Sequence, residues 1–142
     1  MKDKPAAAHR LLVVDDEEAI SFALWDYLGR SGYEVDRART RQEAERLLAE
    51  RHPYALVIAD LRLSSHDPRG GLNLLRRVRE RCPESRIILL TAYGSGEVEA
   101  ELSSIGGAVL LSKPQSLIRL GEEVARLLAG SPGQPLPHPA GE

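Results

Sequence analysis

Short apolar runs of strand length alternate along this chain with segments of helical period, and few architectures accept that alternation. Residues 11–14 (LLVV), 54–59, 86–90 and 108–111 are almost without polar interruption, as expected of strands covered on both faces. Residues 33–38 alternate instead, which predicts a strand at the edge of a sheet. Between them, Ile20, Ala23, Leu24, Tyr27 and Leu28 share one face of a helix over 17–30, with Asp16 as its expected N-cap and Gly32 as its stop. Thr40 and Glu43 are spaced as a capping box, opening a helix that buries Ala44, Leu47 and Leu48 and ends before Pro53. Helices are predicted over 72–81, 96–105 and the region of Leu117, Leu120, Val124, Leu127 and Leu128. Five strands each followed by a helix imply an α/β fold: a doubly wound five-stranded parallel sheet, with strand order 2-1-3-4-5 as the best topology.

With 142 residues there is room for one domain. The first eight residues read as a loose lead, residues 9–130 as the folded body, and 131–142 (SPGQPLPHPAGE) as a proline-rich tail or the start of a linker. A formal net charge of −2 leaves no basic face for nucleic acid. No apolar run approaches the roughly 18 to 20 residues of a membrane span, and MKDKPAAAHR lacks a signal peptide's apolar stretch. These features predict a cytoplasmic protein. The single cysteine, Cys82, cannot form an internal disulfide and is expected to pack near a helix end.

In a doubly wound sheet, ligands bind beyond the carboxyl ends of the strands, where the strand order reverses. Here the strands end in Asp15-Asp16, Asp60, Thr91 and Lys113-Pro114. Strands 1 and 3 would be neighbours roughly 5 Å apart, so Asp60 must approach at least one of the paired aspartates. Carboxylates that close persist only with a shared proton or a cation among them. Magnesium suits the set, since it keeps several waters and leaves positions for phosphate oxygens. Lys113 is the only lysine outside the first four residues, in a body that otherwise uses arginine. A compact ammonium at a buried strand end can meet an oxyanion as a point charge. With the Thr91 hydroxyl, these groups fit in-line transfer of a phosphoryl group to a carboxylate, and the central Asp60 is the best nucleophile. No nucleotide-binding glycine loop is present, so the donor must be a separate molecule.

Through LLVVDDEE, VIADLRL, ILLTAYGS and LLSKP, in that order from about His9 to Gly130, the chain resembles the receiver domain of two-component response regulators, a CheY-like, flavodoxin-like (αβ)5 fold. The resemblance implies a non-enzymatic signalling switch phosphorylated on Asp60 by a histidine kinase or a histidine phosphotransfer protein. It implies Asp16 and Asp60 as direct magnesium ligands, Asp15 acting through water, and the backbone carbonyl of Arg62 completing the set. Thr91 and Lys113 would be the switch hydroxyl and the phosphate-binding lysine, with the Ala92 backbone amide beside them. The face formed by the fourth helix, fifth strand and fifth helix would receive a target or a second copy. Three features depart from the family pattern. Leu110 occupies the place of its switch aromatic, the loop LRLSSHDPRGG is about three residues longer than usual, and that loop lacks a Met-Pro-Gly stretch. Arg62 and Tyr93 stand where the family tunes loss of the phosphate. His66 and Asp67 are expected to be solvated, as is the arginine face of the third helix, although that face could also dock an acidic partner. Two alternatives share part of the chemistry: a magnesium phosphatase of the haloacid dehalogenase type, and a receiver-like interaction domain that is never phosphorylated.

Overall fold

The computed structural model describes residues 9–51, 53–64, 66–92, 96–106 and 108–129. The lead, the tail, His52 and Tyr93 lie outside these residues. The elements alternate strictly: β1 (Arg10–Val14), α1 (Glu18–Arg30), β2 (Glu34–Ala38), α2 (Arg41–Arg51), β3 (Leu56–Asp60), α3 (Gly70–Arg81), β4 (Arg86–Thr91), α4 (Gly96–Ile105), β5 (Ala108–Ser112) and α5 (Leu117–Ala129). All strand pairs are parallel, in the order β2-β1-β3-β4-β5. The expected topology is therefore the observed one, and β2 and β5 are its two edge strands.

The unbroken apolar runs are explained by two cores, one on each side of the sheet. Leu12, Val14, Val57, Ala59, Ile87 and Leu89 face α2, α3 and α4 through Ala44, Leu48, Leu72, Leu75, Val78, Val98 and Leu102. Their chain neighbours Leu11, Val13, Leu56, Ile58, Ile88 and Leu90 face α1 and α5 through Leu24, Leu28, Leu120, Val124 and Leu127. Period-2 geometry thus sends successive residues to opposite cores, and both faces must be apolar. Among the buried polar groups, Asp15, Asp60 and Thr91 stand at the carboxyl ends of β1, β3 and β4.

Local signals set the element ends. Glu43 N–H donates to Thr40 Oγ1 at 3.1 Å, the cap half of the expected box, while Glu43 Oε1 accepts the N–H of Arg39, one residue before Thr40, at 2.6 Å. Gly32 ends α1 with φ of +105°, a conformation that glycine adopts without steric cost. The expectation for the start of α1 needs correction. The helix begins at Glu18 with Glu17 as its N-cap residue, and the side chain that turns the chain belongs to Asp15, whose Oδ1 accepts Glu17 N–H at 2.9 Å. Asp16 makes no cap and stays exposed. Asp67 also departs from expectation. It is half-buried and pairs with Arg41 of α2 at 3.2 Å, tying the long β3–α3 loop to that helix, while His66 is exposed. On α3, Arg77 and Arg81 are exposed. Arg76 pairs with Glu101 of α4 at 3.7 Å, and Arg79 donates to Gly106 O at 2.8 Å, so part of the arginine face ties α3 to the α4 end. Cys82 is buried at the α3 C-cap.

Candidate functional site

Four parallel strands run out at one rim, and each delivers a polar side chain there. Asp60 is the last residue of β3 and Thr91 the last of β4. Lys113 follows β5 directly, and its N–H donates to Thr91 O at 2.8 Å, which fixes the β5 exit against β4. Asp15 follows β1 and extends the ladder, its N–H donating to Ala38 O at 3.1 Å. The Lys113-Pro114 peptide bond is cis. The Lys113 ammonium donates to Asp60 Oδ2 at 2.8 Å and to Glu17 Oε1 at 3.3 Å.

Ligand oxygens of Asp15, Asp16 and Asp60 lie within 4.8 Å of one another. Asp15 is 1% exposed and Asp60 8%. Oδ1 of Asp15 is used by the Glu17 amide, but its Oδ2 is buried with no hydrogen-bond partner. An orphaned carboxylate oxygen is costly unless it is protonated or beside a cation. Burial accordingly pushes Asp15 up to about 6. The Glu17 amide opposes that rise and the Asp60 charge adds to it. Burial alone would lower the Lys113 pKa, but the Asp60 hydrogen bond and charge, with Asp15 and Glu17 behind them, hold it above the ordinary lysine value. This donor set, all hard oxygen and net negative, fits a magnesium ion better than a softer metal.

A cleft of about 390 Å³ opens over the trio, lined by Asp16, Glu17, Asp60, Arg62, Thr91, Ala92 and Lys113, with Leu61, Ser64 and Pro68 at its edge. Of the strand-end residues singled out from the sequence, Asp16, Asp60, Thr91 and Lys113 line it, and Asp15 lies beside it as the buried member of the acidic trio. Thr91 is buried at the cleft floor, whereas Arg62 and Ala92 are exposed. Asp60 Oδ1 accepts Arg62 N–H at 3.3 Å, which ties the turn after β3 to the carboxylate. Leu110 lies outside the cleft, half-buried against the core shared by α2, α3 and α4. Sequence reasoning passed over Glu17, because an acid at a helix start reads as a favourable first-turn charge. Its signal was the third acidic residue of LLVVDDEE.

The chain matches the family described as response regulator receiver domain over residues 11–125. It is 38% identical over 120 residues to the response regulator protein PilR of Pseudomonas aeruginosa, covering 84% of this chain and 26% of that protein. With the photosynthetic apparatus regulatory protein RegA of Cereibacter sphaeroides it shares 32% identity over 133 residues, or 94% of this chain and 67% of that one. The chain therefore spans a quarter to two thirds of these relatives. Among solved structures, the CheY-like response regulator receiver domain protein from Methanospirillum hungatei JF-1 superposes with a TM-score of 0.78 at 29% identity, covering 87% of this chain and 95% of that one. No helix among the described residues is long and apolar enough to cross a membrane.

Proposed function

Because the chain belongs to the response regulator receiver domain family, we propose that it is a phosphorylation-controlled switch that accepts a phosphoryl group on Asp60 from a histidine kinase or histidine phosphotransfer protein. The observation that carries this reading is the contact of Lys113 Nζ with Asp60 Oδ2 at 2.8 Å beside an acidic trio with an orphaned oxygen. Asp15, Asp16 and Asp60, with the Arg62 carbonyl, would hold magnesium. Once bound, that ion supplies positive charge to the carboxylates and to the oxygens of the incoming phosphoryl group.

The chain's own residues account for the remainder. Asp60, anchored at the end of a buried strand, presents a carboxylate oxygen to phosphorus. As the P–O bond to Asp60 forms, the P–N bond to the donor imidazole breaks and its electron pair stays on nitrogen. Lys113 moves its hydrogen bond from the carboxylate to a phosphoryl oxygen, and the Thr91 hydroxyl and Ala92 amide serve the others. Drawing Thr91 inward would reshape the α4, β5 and α5 face, where a target or a second copy binds. With Leu110 in place of an aromatic, that change would not be read out by an aromatic rotamer at this position.

Intact-mass analysis after incubation with acetyl phosphate tests the reading. A phosphoryl adduct is expected on the wild type only with magnesium, and none on Asp60→Asn. An adduct that persists in the variant rules out Asp60 as the acceptor. Arg62 is exposed and lines the cleft two residues beyond Asp60, where its bulk would crowd a water attacking the phosphate. Arg62→Asn is expected to shorten the phosphate half-life by a few-fold, on the order of 1 kcal/mol in the barrier. An unchanged half-life, followed by loss of the mass adduct, would refute that role. Tyr93, assigned the same role from sequence, lies outside the described residues.

A further inference from the structure

Glu17 is fixed by its main chain and free in its side chain. Its N–H is bonded to Asp15 and its carbonyl accepts Ser21 N–H, so its Cα cannot leave the rim. Its carboxylate is 57% exposed, lines the cleft, and has Lys113 as its ion-pair partner at 3.3 Å. Lys113 is thereby divided between Asp60, which it must leave when phosphate arrives, and Glu17, which serves neither metal nor phosphate.

We propose that Glu17 is a donor-selecting residue: its carboxylate competes for Lys113 and places a negative charge at the cleft mouth, disfavouring highly charged phosphodonors. The inference rests on Asp60 being the phosphoacceptor. When Lys113 turns to a phosphoryl oxygen, Glu17 loses its counter-charge and faces the donor unneutralised. An exposed pair of this kind is weak, so it exchanges readily. The repulsion then scales with the donor's net charge. Acetyl phosphate arrives as a dianion at neutral pH. Its P–O bond to the acyl group breaks as the P–O bond to Asp60 forms, and acetate departs with the electron pair. Phosphoramidate arrives as a monoanion. Its P–N bond breaks and ammonia departs, its nitrogen already carrying the proton that transfer requires. Glu17 opposes the first reaction more than the second, so the discrimination is electrostatic and not steric.

The test compares wild type and Glu17→Gln at fixed excess magnesium, with rate constants for both donors measured by intact mass. Glu17→Gln is expected to raise the acetyl phosphate rate roughly three- to tenfold and the phosphoramidate rate by less than about twofold, with a shallower dependence on ionic strength. A second readout needs neither metal nor donor. The chain's lysines are Lys2, Lys4 and Lys113, so the Lys113 Cε resonance can be followed in metal-free protein, where Glu17→Gln is expected to shift it. Equal changes for the two donors, or an unmoved Lys113 resonance, overturn the role of Glu17 while leaving an adduct on wild-type Asp60 intact. Wild type that takes no phosphoryl group from either donor removes the phosphoacceptor reading itself, and the selection with it.

Discussion

Gly71→Ala is expected to unfold this domain or to cost it most of its stability, although it adds a single methyl group. A Cβ at Gly71 would lie 2.1 Å from the carbonyl oxygen of Asp60, 2.8 Å from its carbon and 3.0 Å from Leu61 Cα. All three are main-chain atoms, and none can swing aside as a side chain would. The Gly71 N–H donates to Leu61 O at 2.9 Å, so the first turn of α3 is clamped against the segment that leaves β3. Relief would require α3 to slide off the sheet, exposing part of the core that Leu72, Leu74, Leu75 and Val78 build. Ordinary overpacking costs about 1–3 kcal/mol. A clash with immovable backbone belongs above that range, at about 4 kcal/mol or more, against total stabilities of about 5–15 kcal/mol for such domains.

Two glycines serve as internal controls. A Cβ at Gly70 would meet the Asp67 carboxylate at 2.3 Å. That group can rotate away at the cost of its pairing with Arg41, so Gly70→Ala should cost about 1 kcal/mol or less. A Cβ at Gly29, inside α1, meets nothing within 4 Å, and Gly29→Ala should stabilise by up to about 1 kcal/mol. Urea unfolding followed by circular dichroism orders the three. A Gly71→Ala midpoint equal to that of Gly70→Ala would disprove the clash. The same contact bears on function, because it presses the N-terminus of α3 against the residue proposed to carry the phosphate.

The clamp at Gly71 was invisible in the sequence, whereas the sheet was not, and the difference is physical. Strand identity follows from burial on both faces, which leaves its mark in every residue of LLVV or IILL. The strand-end acids, Thr91 and Lys113 stood out because the fold sends all strand ends to one rim, so a one-dimensional pattern became a three-dimensional cluster. Asp16 was expected as the cap and Asp15 took the turn, since both are good hydrogen-bond acceptors at a strand end and spacing alone does not separate them. Position past the strand decided the matter: Asp15 still extends the ladder and is buried with its Oδ1 on the Glu17 amide, whereas Asp16 lies beyond it, exposed and lining the cleft. Pairs such as Arg41 with Asp67 and Arg76 with Glu101 join separate elements, and no spacing along the chain encodes them.

Asp15→Asn should make the metal-free protein more stable above neutrality while abolishing its stabilisation by magnesium. Asp15 has a carboxyl pKa of about 6 in the folded chain against 3.8 as its ordinary value, burial being the main cause. The native state thus holds a proton that the unfolded chain has released between those two values. Stability from this group is fully present below about pH 4, falls as pH rises through about 6, and stays low above it. A difference of about two pH units corresponds to about 3 kcal/mol at most. Asparagine retains an oxygen for the Glu17 amide and carries no charge, so this part of the pH dependence should vanish. In chelator at about pH 7.5 the variant's urea midpoint should exceed that of the wild type by the equivalent of about 1–3 kcal/mol, and the two should converge near pH 4. Excess magnesium should then raise the wild type, through preferential binding to the native state, and leave the variant unmoved. The order of the two proteins should reverse or close as metal is added. A variant less stable than wild type in chelator would show that Asp15 is a satisfied structural acid, while equal stabilisation of both by magnesium would place the ion elsewhere. Instability built into the acidic pocket is what would let a divalent cation, and then a phosphoryl group, bias the conformation of the whole rim.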